Sequence, residues 1–113
     1  MEALSKNAQF VLKHMYQIYL DRLSEGVSLD KSVDFGTFKE LHHTFFIGFT
    51  SENLMETLKE LSKNQYLYLY YASDKPVIIK LKNNAIAVLE KAYSKNIRSL
   101  AKDLNQLRKL LGL

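Results

Sequence analysis

Residues 50–81, TSENLMETLKELSKNQYLYLYYASDKPVIIKL, predict one helix that runs directly into a two-stranded hairpin. The leucines of the first half recur at the i, i+4, i+7 spacing that places side chains on one helical face, at Leu54, Leu58 and Leu61. A hydroxyl at Thr50 or Ser51 can cap the first turn. Asn64 follows the last periodic residue, where a left-handed residue commonly ends a helix. We therefore expect the helix to end close to this asparagine.

The second half of this stretch has the composition of two strands joined by a tight turn. Residues 66–71 are aromatic residues and leucines, and residues 77–81 are largely β-branched. The intervening SDKP, residues 73–76, favours a turn, because aspartate bonds to its own backbone and proline cannot donate to a ladder. Either Leu67 and Leu69 face inward or the alternating tyrosines do, since a slip by one residue exchanges the two faces.

The composition is that of one globular domain spanning residues 1–113. Hydrophobic residues make up 47% of the chain and charged residues 25%, which argues against wholesale disorder. The absence of cysteine excludes disulfides, thiolate metal sites and cysteine nucleophiles. No apolar run reaches the length of a membrane span, and the N-terminus MEALSKNAQ lacks a signal-peptide pattern. We therefore expect a cytoplasmic protein with no membrane partner.

The net charge of +4 is distributed unevenly along the chain. From Lys75 to the C-terminus, nine basic residues against two acidic ones give +7, whereas seven basic against ten acidic residues before Lys75 give −3. A basic C-terminal third on an acidic body predicts a polyanion or an acidic partner that meets the hairpin and the tail.

Two further helices are predicted on the N-terminal side of the stretch. Residues 4–24 carry an apolar stripe wider than one contact face, which predicts burial from two directions, either within the chain or in a dimer interface. Residues 27–29 are predicted as a short strand that pairs with the hairpin. Residues 35–45 then fit a second helix with Asp34 as its cap, and Gly48 can supply the positive φ of a tight turn.

The C-terminal segment predicts one long helix from residue 83 to residue 110, because neither glycine nor proline interrupts it. Apolar residues within it alternate three and four apart, like the a and d positions of a coiled coil: Ile97, Leu100, Leu104, Leu107 and Leu111. Residues 94–113 are therefore predicted as a dimerisation helix, with packing onto the chain's own domain as the alternative. The opposite face carries a basic stripe: Lys91, Lys95, Arg98, Lys102 and Lys109.

Helix, glycine-bearing turn, helix and hairpin, in that order, resemble the winged helix-turn-helix superfamily of DNA-binding proteins. The resemblance implies an α+β, mostly helical fold with long N-terminal and C-terminal helices. It places base-facing residues on the second motif helix and phosphate contacts further along it: Ser51, Asn53, Glu56, Thr57, Lys59 and Lys63. The wing would contribute Lys75, Lys80 and Lys82, and the tail stripe would add Lys91, Lys95, Arg98 and Lys102. Together with the heptad spacing, this predicts a homodimer that binds double-stranded DNA, as a transcription regulator or a phage or plasmid accessory factor.

Three carboxylates on the second motif helix oppose DNA binding. Glu52, Glu56 and Glu60 share its expected exposed face, and they repel the phosphates whose neutralisation supplies much of the affinity. A protein-interaction module that has the winged fold without nucleic-acid binding is therefore the alternative, with the tyrosine-rich strand as its contact surface. The same tyrosines could stack unpaired bases, although cross-strand packing explains them equally well.

The sequence predicts neither an enzyme nor a cofactor or metal site. It contains no glycine-rich phosphate loop and no recognisable nucleophile and base. His42 and His43 are adjacent, so they cannot ligate one ion from a helix as histidines four residues apart would.

Overall fold

A computed structural model describes residues 3–94 and 96–113, which form an α+β fold with six helices and one two-stranded antiparallel sheet. The helices are α1 (Lys6–Ser24), α2 (Leu29–Ser32), α3 (Phe38–Phe45), α4 (Ser51–Lys63), α5 (Asn83–Tyr93) and α6 (Ile97–Leu111), and the strands are β1 (Leu67–Tyr71) and β2 (Pro76–Leu81). The prediction of a mostly helical α+β fold is confirmed. Within the described ranges, every helix is too short or too polar to cross a bilayer.

Helix α1 is the centre of the core, and it contacts α2, α4, α5 and α6. Its side chains are buried around much of its circumference: Ala8, Phe10, Val11, Leu12, Met15, Tyr16 and Tyr19. Burial of this many apolar groups on one helix is the main favourable term for folding. Packing within the chain therefore accounts for the wide stripe, so a dimer interface is not needed to explain it.

The prediction of a strand at residues 27–29 is wrong, because Leu29 begins the single-turn helix α2. Residues 33–35, further along the chain, hydrogen-bond to β2 instead. Phe35 donates its N–H to the carbonyl of Ile79 over 2.8 Å, and Leu81 donates to the carbonyl of Val33 over 3.0 Å. The side chain of Arg22 holds this crossing segment, since Nη1 donates to the carbonyls of three of its residues, Lys31, Ser32 and Asp34.

Helix α3 is capped by Thr37, so the prediction of Asp34 as its cap is wrong. Thr37 and Glu40 form a reciprocal capping box, which satisfies two of the free amides of the first turn. Asp34 instead accepts a hydrogen bond from the amide of Gly36 over 2.9 Å. The turn after α3 lies where the sequence predicts it, but Gly48 is not among the residues with positive φ.

Helix α4 ends where its leucine periodicity ends, although the left-handed residue is Gln65 (φ 67°) and not Asn64. In the hairpin, the register of β1 and β2 pairs Leu67 with Leu81 and Leu69 with Ile79. Three of these four side chains are buried, whereas Tyr68 on the other face is 47% exposed. Of the two orientations left open by the sequence, the leucines face inward.

The prediction of one unbroken C-terminal helix is wrong. Ser94 adopts a left-handed conformation (φ 43°) that ends α5, and Asn96 caps α6 through a hydrogen bond from the amide of Ser99. The phenolic O–H of Tyr93 donates to Asp103 over 2.6 Å and ties the two helices together. The chain turns at this point because α6 packs against α1.

The central leucines predicted as a dimer seam are part of the core. Leu100, Leu104 and Leu107 are all buried within the chain, and Leu111 packs partly against the same core. Ile97 alone of the predicted seam is largely exposed. Three- and four-residue spacing serves a core helix as well as a coiled coil, and here the alternative of packing on the chain's own domain is realised.

A half-buried histidine, His14, lies near the junction of α1 and α3. The ring of His14 is 5.6 Å from that of Phe10 and 5.2 Å from that of Phe46, measured between centroids. Its Nδ1 atom is buried and has no hydrogen-bond partner among the described residues. Burial lowers the pKa of His14 below its ordinary value of 6.5, the charge of Arg108 lowers it further, and Asp21 opposes this shift.

Candidate nucleic-acid interface

An open groove of about 520 Å³ lies between α3, the start of α4 and the turn of the hairpin. Most of its lining surface is apolar, and two lysines and two histidines stand among the lining residues: Thr37, Phe38, Lys39, His42, His43, Ser51, Lys75, Pro76 and Val77. Lys39 and His43 are four residues apart on α3, which places them on the same face of the helix. This cationic groove therefore presents positive charge from two separate elements.

The side chain of Lys75 is fixed at the start of α4. Its Nζ donates a hydrogen bond to Ser51 Oγ over 2.9 Å and lies 4.8 Å from the centroid of the Phe38 ring. A lysine above an aromatic face gains about 0.5–1 kcal/mol at an exposed site. The tip of the hairpin thus contacts both helices that border the groove.

His42 serves the turn between the two helices. Its Nε2 lies 2.8 Å from the carbonyl oxygen of Phe49, to which it can donate as the protonated nitrogen of the ring. This bond spans the connection from α3 to α4 and fixes the angle between them. The imidazole of His43 is exposed and has no such role, so it adds hydrogen-bonding capacity to the groove.

The exposed face of α4 borders the groove. A second, shallower depression of about 320 Å³ shares Ser51 and Lys75 with the first and continues along the helix. Its other lining residues are Glu52, Met55, Glu56, Lys59 and Asp74. Asn53 and Lys63 are also exposed on this helix. The structure therefore brings five of the residues predicted to contact DNA to one helix and sets Lys75 beside them.

Thr57 does not belong to this surface, although the sequence analysis placed it among the base-facing residues. Its side chain is only 3% exposed, and its Oγ1 donates to the carbonyl of Asn53 over 2.7 Å. It packs with Leu54, Leu58 and Leu61 on the buried face of α4. A side chain in this position cannot reach a base edge.

Glu60 is also turned away from the surface predicted for it. Its carboxylate accepts hydrogen bonds from the amide and the hydroxyl of Ser5, over 2.8 and 2.6 Å. Ser5 is the N-cap of α1 and accepts from the amide of Ala8. The carboxylate thus stabilises the positive end of α1. The other two acidic side chains, Glu52 and Glu56, are exposed on α4.

The three lysines of the hairpin lie at two different ends of it. Lys75 is in the turn, whereas Lys80 lies five residues along β2, which corresponds to about 17 Å of extended chain. Lys80 is half-buried beside Tyr68, and Lys82 donates from Nζ to Gln65 Oε1 over 2.8 Å. Of these three hairpin lysines, Lys75 is therefore the one that lines the cationic groove.

The basic residues of the tail do not form one helical stripe, because the turn at Ser94 divides them between α5 and α6. Lys91 lies on α5, and Arg98, Lys102 and Lys109 lie on α6, all exposed. Lys95 lies outside the described residues. The 100° spacing that joined these residues in sequence holds only within a continuous helix.

The sequence analysis missed the contribution of α3. Lys39 and His43 line the cationic groove, and their spacing of four residues was a signal for a shared face. Their proximity to Lys75 was not visible, since it depends on how the hairpin folds back over α3.

Within residues 3–94 and 96–113, no group of three or more His, Cys, Asp or Glu side chains is arranged to hold a metal ion. Comparisons of the chain with protein-family models, with curated proteins and with solved structures found no match.

Proposed function

We propose that this chain is a winged-helix protein that binds double-stranded DNA, with α3 and α4 as its helix-turn-helix and the β1–β2 hairpin as its wing. The observation that carries the proposal is the cationic groove, in which Lys39, His43 and Lys75 flank the start of α4. The order of the elements supports it, since a short helix, a tight turn, a second helix and a hairpin follow one another. Transcription regulation is the role that such a module would serve.

The groove suits a phosphate backbone. Lysines that neutralise phosphates release counterions, which supplies most of the affinity of a DNA-binding protein at low salt. The partial positive charge at the start of α4 acts in the same direction as Lys75. On the exposed face of α4, Asn53 can bond an adenine edge and Glu56 can accept from the amino group of cytosine. Phosphate contacts would thus orient the chain, and these two residues would supply sequence preference.

Salt-dependent anisotropy of a fluorescein-labelled duplex tests the proposal. We expect the double variant K39A/K75A to weaken binding and to lower the slope of log K against log salt by about 0.9 for each phosphate that is no longer neutralised. The matched control is K6A/K31A, which removes two exposed lysines from α1 and α2, away from the groove. Failure of the wild-type chain to bind any duplex at low salt would reject the proposal, as would an equal weakening in the control.

A second candidate function is a protein-interaction module. It is favoured by the two exposed carboxylates of α4, Glu52 and Glu56, and by the exposed tyrosines of β1. This function would be supported if the chain captures a protein partner that stays bound after nuclease treatment and if the double variant E52A/E56A captures less of that partner. Release of the partner on nuclease treatment would instead indicate that nucleic acid bridges the two proteins.

Self-association stays a prediction, and it would matter for recognition. Two copies related by a two-fold axis would present two α4 helices to half-sites one helical turn of DNA apart, about 34–36 Å. Leu100, Leu104 and Leu107 of α6 are buried, so a dimer would have to use exposed groups such as Ile97 and Leu110. Sedimentation velocity over a concentration series, with the double variant I97S/L110S as comparison, measures this directly.

A further inference from the structure

The outer face of the hairpin carries two exposed aromatic rings beside a half-buried lysine. Opposite residues of antiparallel strands share a face, so Tyr68 lies beside Lys80 and Tyr70 beside Ile78. Tyr68 and Tyr70 are 47% and 51% exposed. The inward residues of the same strands, among them Leu67 and Ile79, supply the contacts to the core. We refer to Tyr68, Tyr70, Ile78 and Lys80 as the outer sheet face.

The spacing of the two tyrosines matches a nucleic-acid strand. Residues two apart on a strand are separated by about 6.8 Å, which is twice the rise of about 3.4 Å per base along one DNA strand. Two rings at this interval can each stack on a base, either on bases two steps apart with one base between them or on adjacent bases of a stretched strand. Stacking on tyrosine tolerates any base, because every base has a π-face.

The charge of this face suits a phosphate backbone. Lys80 stands directly opposite Tyr68 and makes no ion pair among the described residues. An isolated backbone bridge pairs Asp34 with Lys80 on the other edge of β2, so this face also holds one carboxylate, which accepts a hydrogen bond from the amide of Gly36. Lys82, one pleat further along, contributes a second cation at the base of the hairpin. A cation next to stacking rings is the arrangement by which proteins hold unpaired strands.

We propose that the outer sheet face is a second nucleic-acid site, which binds an unpaired strand by stacking bases on Tyr68 and Tyr70 while Lys80 meets a phosphate. The site is separate from the cationic groove, since Lys75 and Lys80 are about 17 Å apart along β2. It does not depend on whether the groove binds a duplex. A chain with both sites could hold a duplex and an adjoining single strand together.

The test uses the full chain and a fluorescein-labelled dT12 oligonucleotide at low salt. We expect the wild type to bind with quenching of tyrosine emission, which is readable because the chain contains no tryptophan. The variant Y68T/Y70T keeps β-branched residues suited to a strand but removes both rings, and should bind at least about tenfold more weakly. The variant Y68F/Y70F keeps the rings and should bind within about twofold of the wild type. K80Q should lower the salt slope by about 0.7.

The two sites are separated by measuring a duplex in parallel. K39A/K75A should lose duplex affinity yet retain dT12, whereas Y68T/Y70T should show the reverse. If the wild type binds dT12 but no duplex, the proposal for the outer sheet face is supported and the proposal that the cationic groove binds a duplex is refuted. The inference is overturned if the wild type does not bind dT12, if Y68T/Y70T binds it as tightly as the wild type, or if the tyrosines prove to mediate only a concentration-dependent contact between two copies of the chain.

Discussion

Replacing Glu60 with alanine should destabilise the fold, whereas replacing Glu56 on the same helix should not. The Glu60 carboxylate accepts two hydrogen bonds from Ser5 at the start of α1, while Glu56 is exposed and makes no side-chain hydrogen bond among the described residues. Bonds to a charged group contribute about 1.5–3 kcal/mol each when they are protected from solvent. These are solvent-accessible, so we expect a total destabilisation of about 1–2 kcal/mol.

Thermal unfolding followed by circular dichroism measures the difference. A destabilisation of about 1–2 kcal/mol in a chain of this size lowers Tm by about 4–8 °C, whereas an exposed surface substitution changes the free energy of unfolding by less than about 0.5 kcal/mol. Both variants introduce alanine into α4, so the gain in helix propensity cancels in the comparison. Equal Tm values for E60A and E56A would show that the hydrogen bonds from Ser5 to Glu60 do not stabilise the fold.

Duplex binding gives an independent readout of the same pair. A carboxylate about 5–8 Å from a phosphate in water costs about 0.5–0.8 kcal/mol, so its removal should tighten binding by about two- to fourfold. We expect this gain for E56A and not for E60A, because the Glu60 carboxylate is held at α1. A similar gain for both variants would mean that Glu60 faces the DNA and that the tie to Ser5 is broken in the complex.

Four further substitutions test the placement of individual side chains. T57V should leave duplex affinity unchanged, because Thr57 is buried in α4; a titration that shows weakening would contradict this. L104A should lower the free energy of unfolding by about 2–5 kcal/mol in urea titrations, and the exposed I97A by less than about 0.5 kcal/mol. Burial lowers the pKa of His14, so the contribution of its neutral ring to the free energy of unfolding is complete above about pH 6.5 and is lost as the pH falls. Urea titrations from pH 8 to 5 should therefore show a smaller loss of unfolding free energy for H14L than for the wild type. An equal loss in both would refute this reasoning.

Periodicity was enough to predict the elements whose burial is one-sided. Leu54, Leu58 and Leu61 define the buried face of α4, and the alternating leucines of β1 face the core. The same periodicity predicts that Thr57 is buried, because it follows Leu54 by three residues and therefore lies on the same face of the helix. The misassignment of this threonine came from the family resemblance, which took precedence over the geometry of the helix.

The turn at Ser94 could not be predicted from local sequence. A non-glycine residue in the left-handed region costs about 1–2 kcal/mol, and neither glycine nor proline marks the site. The burial of Leu100, Leu104 and Leu107 against the core offsets this cost. Tertiary packing overrides local preference here, so a heptad-like spacing alone does not distinguish a core helix from a dimer seam.

Long-range pairs set the character of the candidate site. Glu60 and Ser5 are 55 residues apart, and Lys75 meets Ser51 across 24 residues. Neither pairing follows from composition, yet the first removes a negative charge from the exposed face of α4 and the second adds a positive one. The net charge of the exposed face of α4 is therefore less negative in the folded chain than the sequence of the helix alone indicates, because of these two interactions.

The resulting surface is still electrically mixed, and this bounds how it can bind DNA. Three lysines border the groove and the adjoining face of α4: Lys39, Lys59 and Lys75. Three carboxylates lie among them: Glu52, Glu56 and Asp74. Each phosphate contact contributes about 0.9 to the salt slope, so these lysines alone can give a slope of at most about 2.7 in magnitude. A markedly steeper slope for one chain would mean that cations outside the groove, such as those of α6, share the duplex.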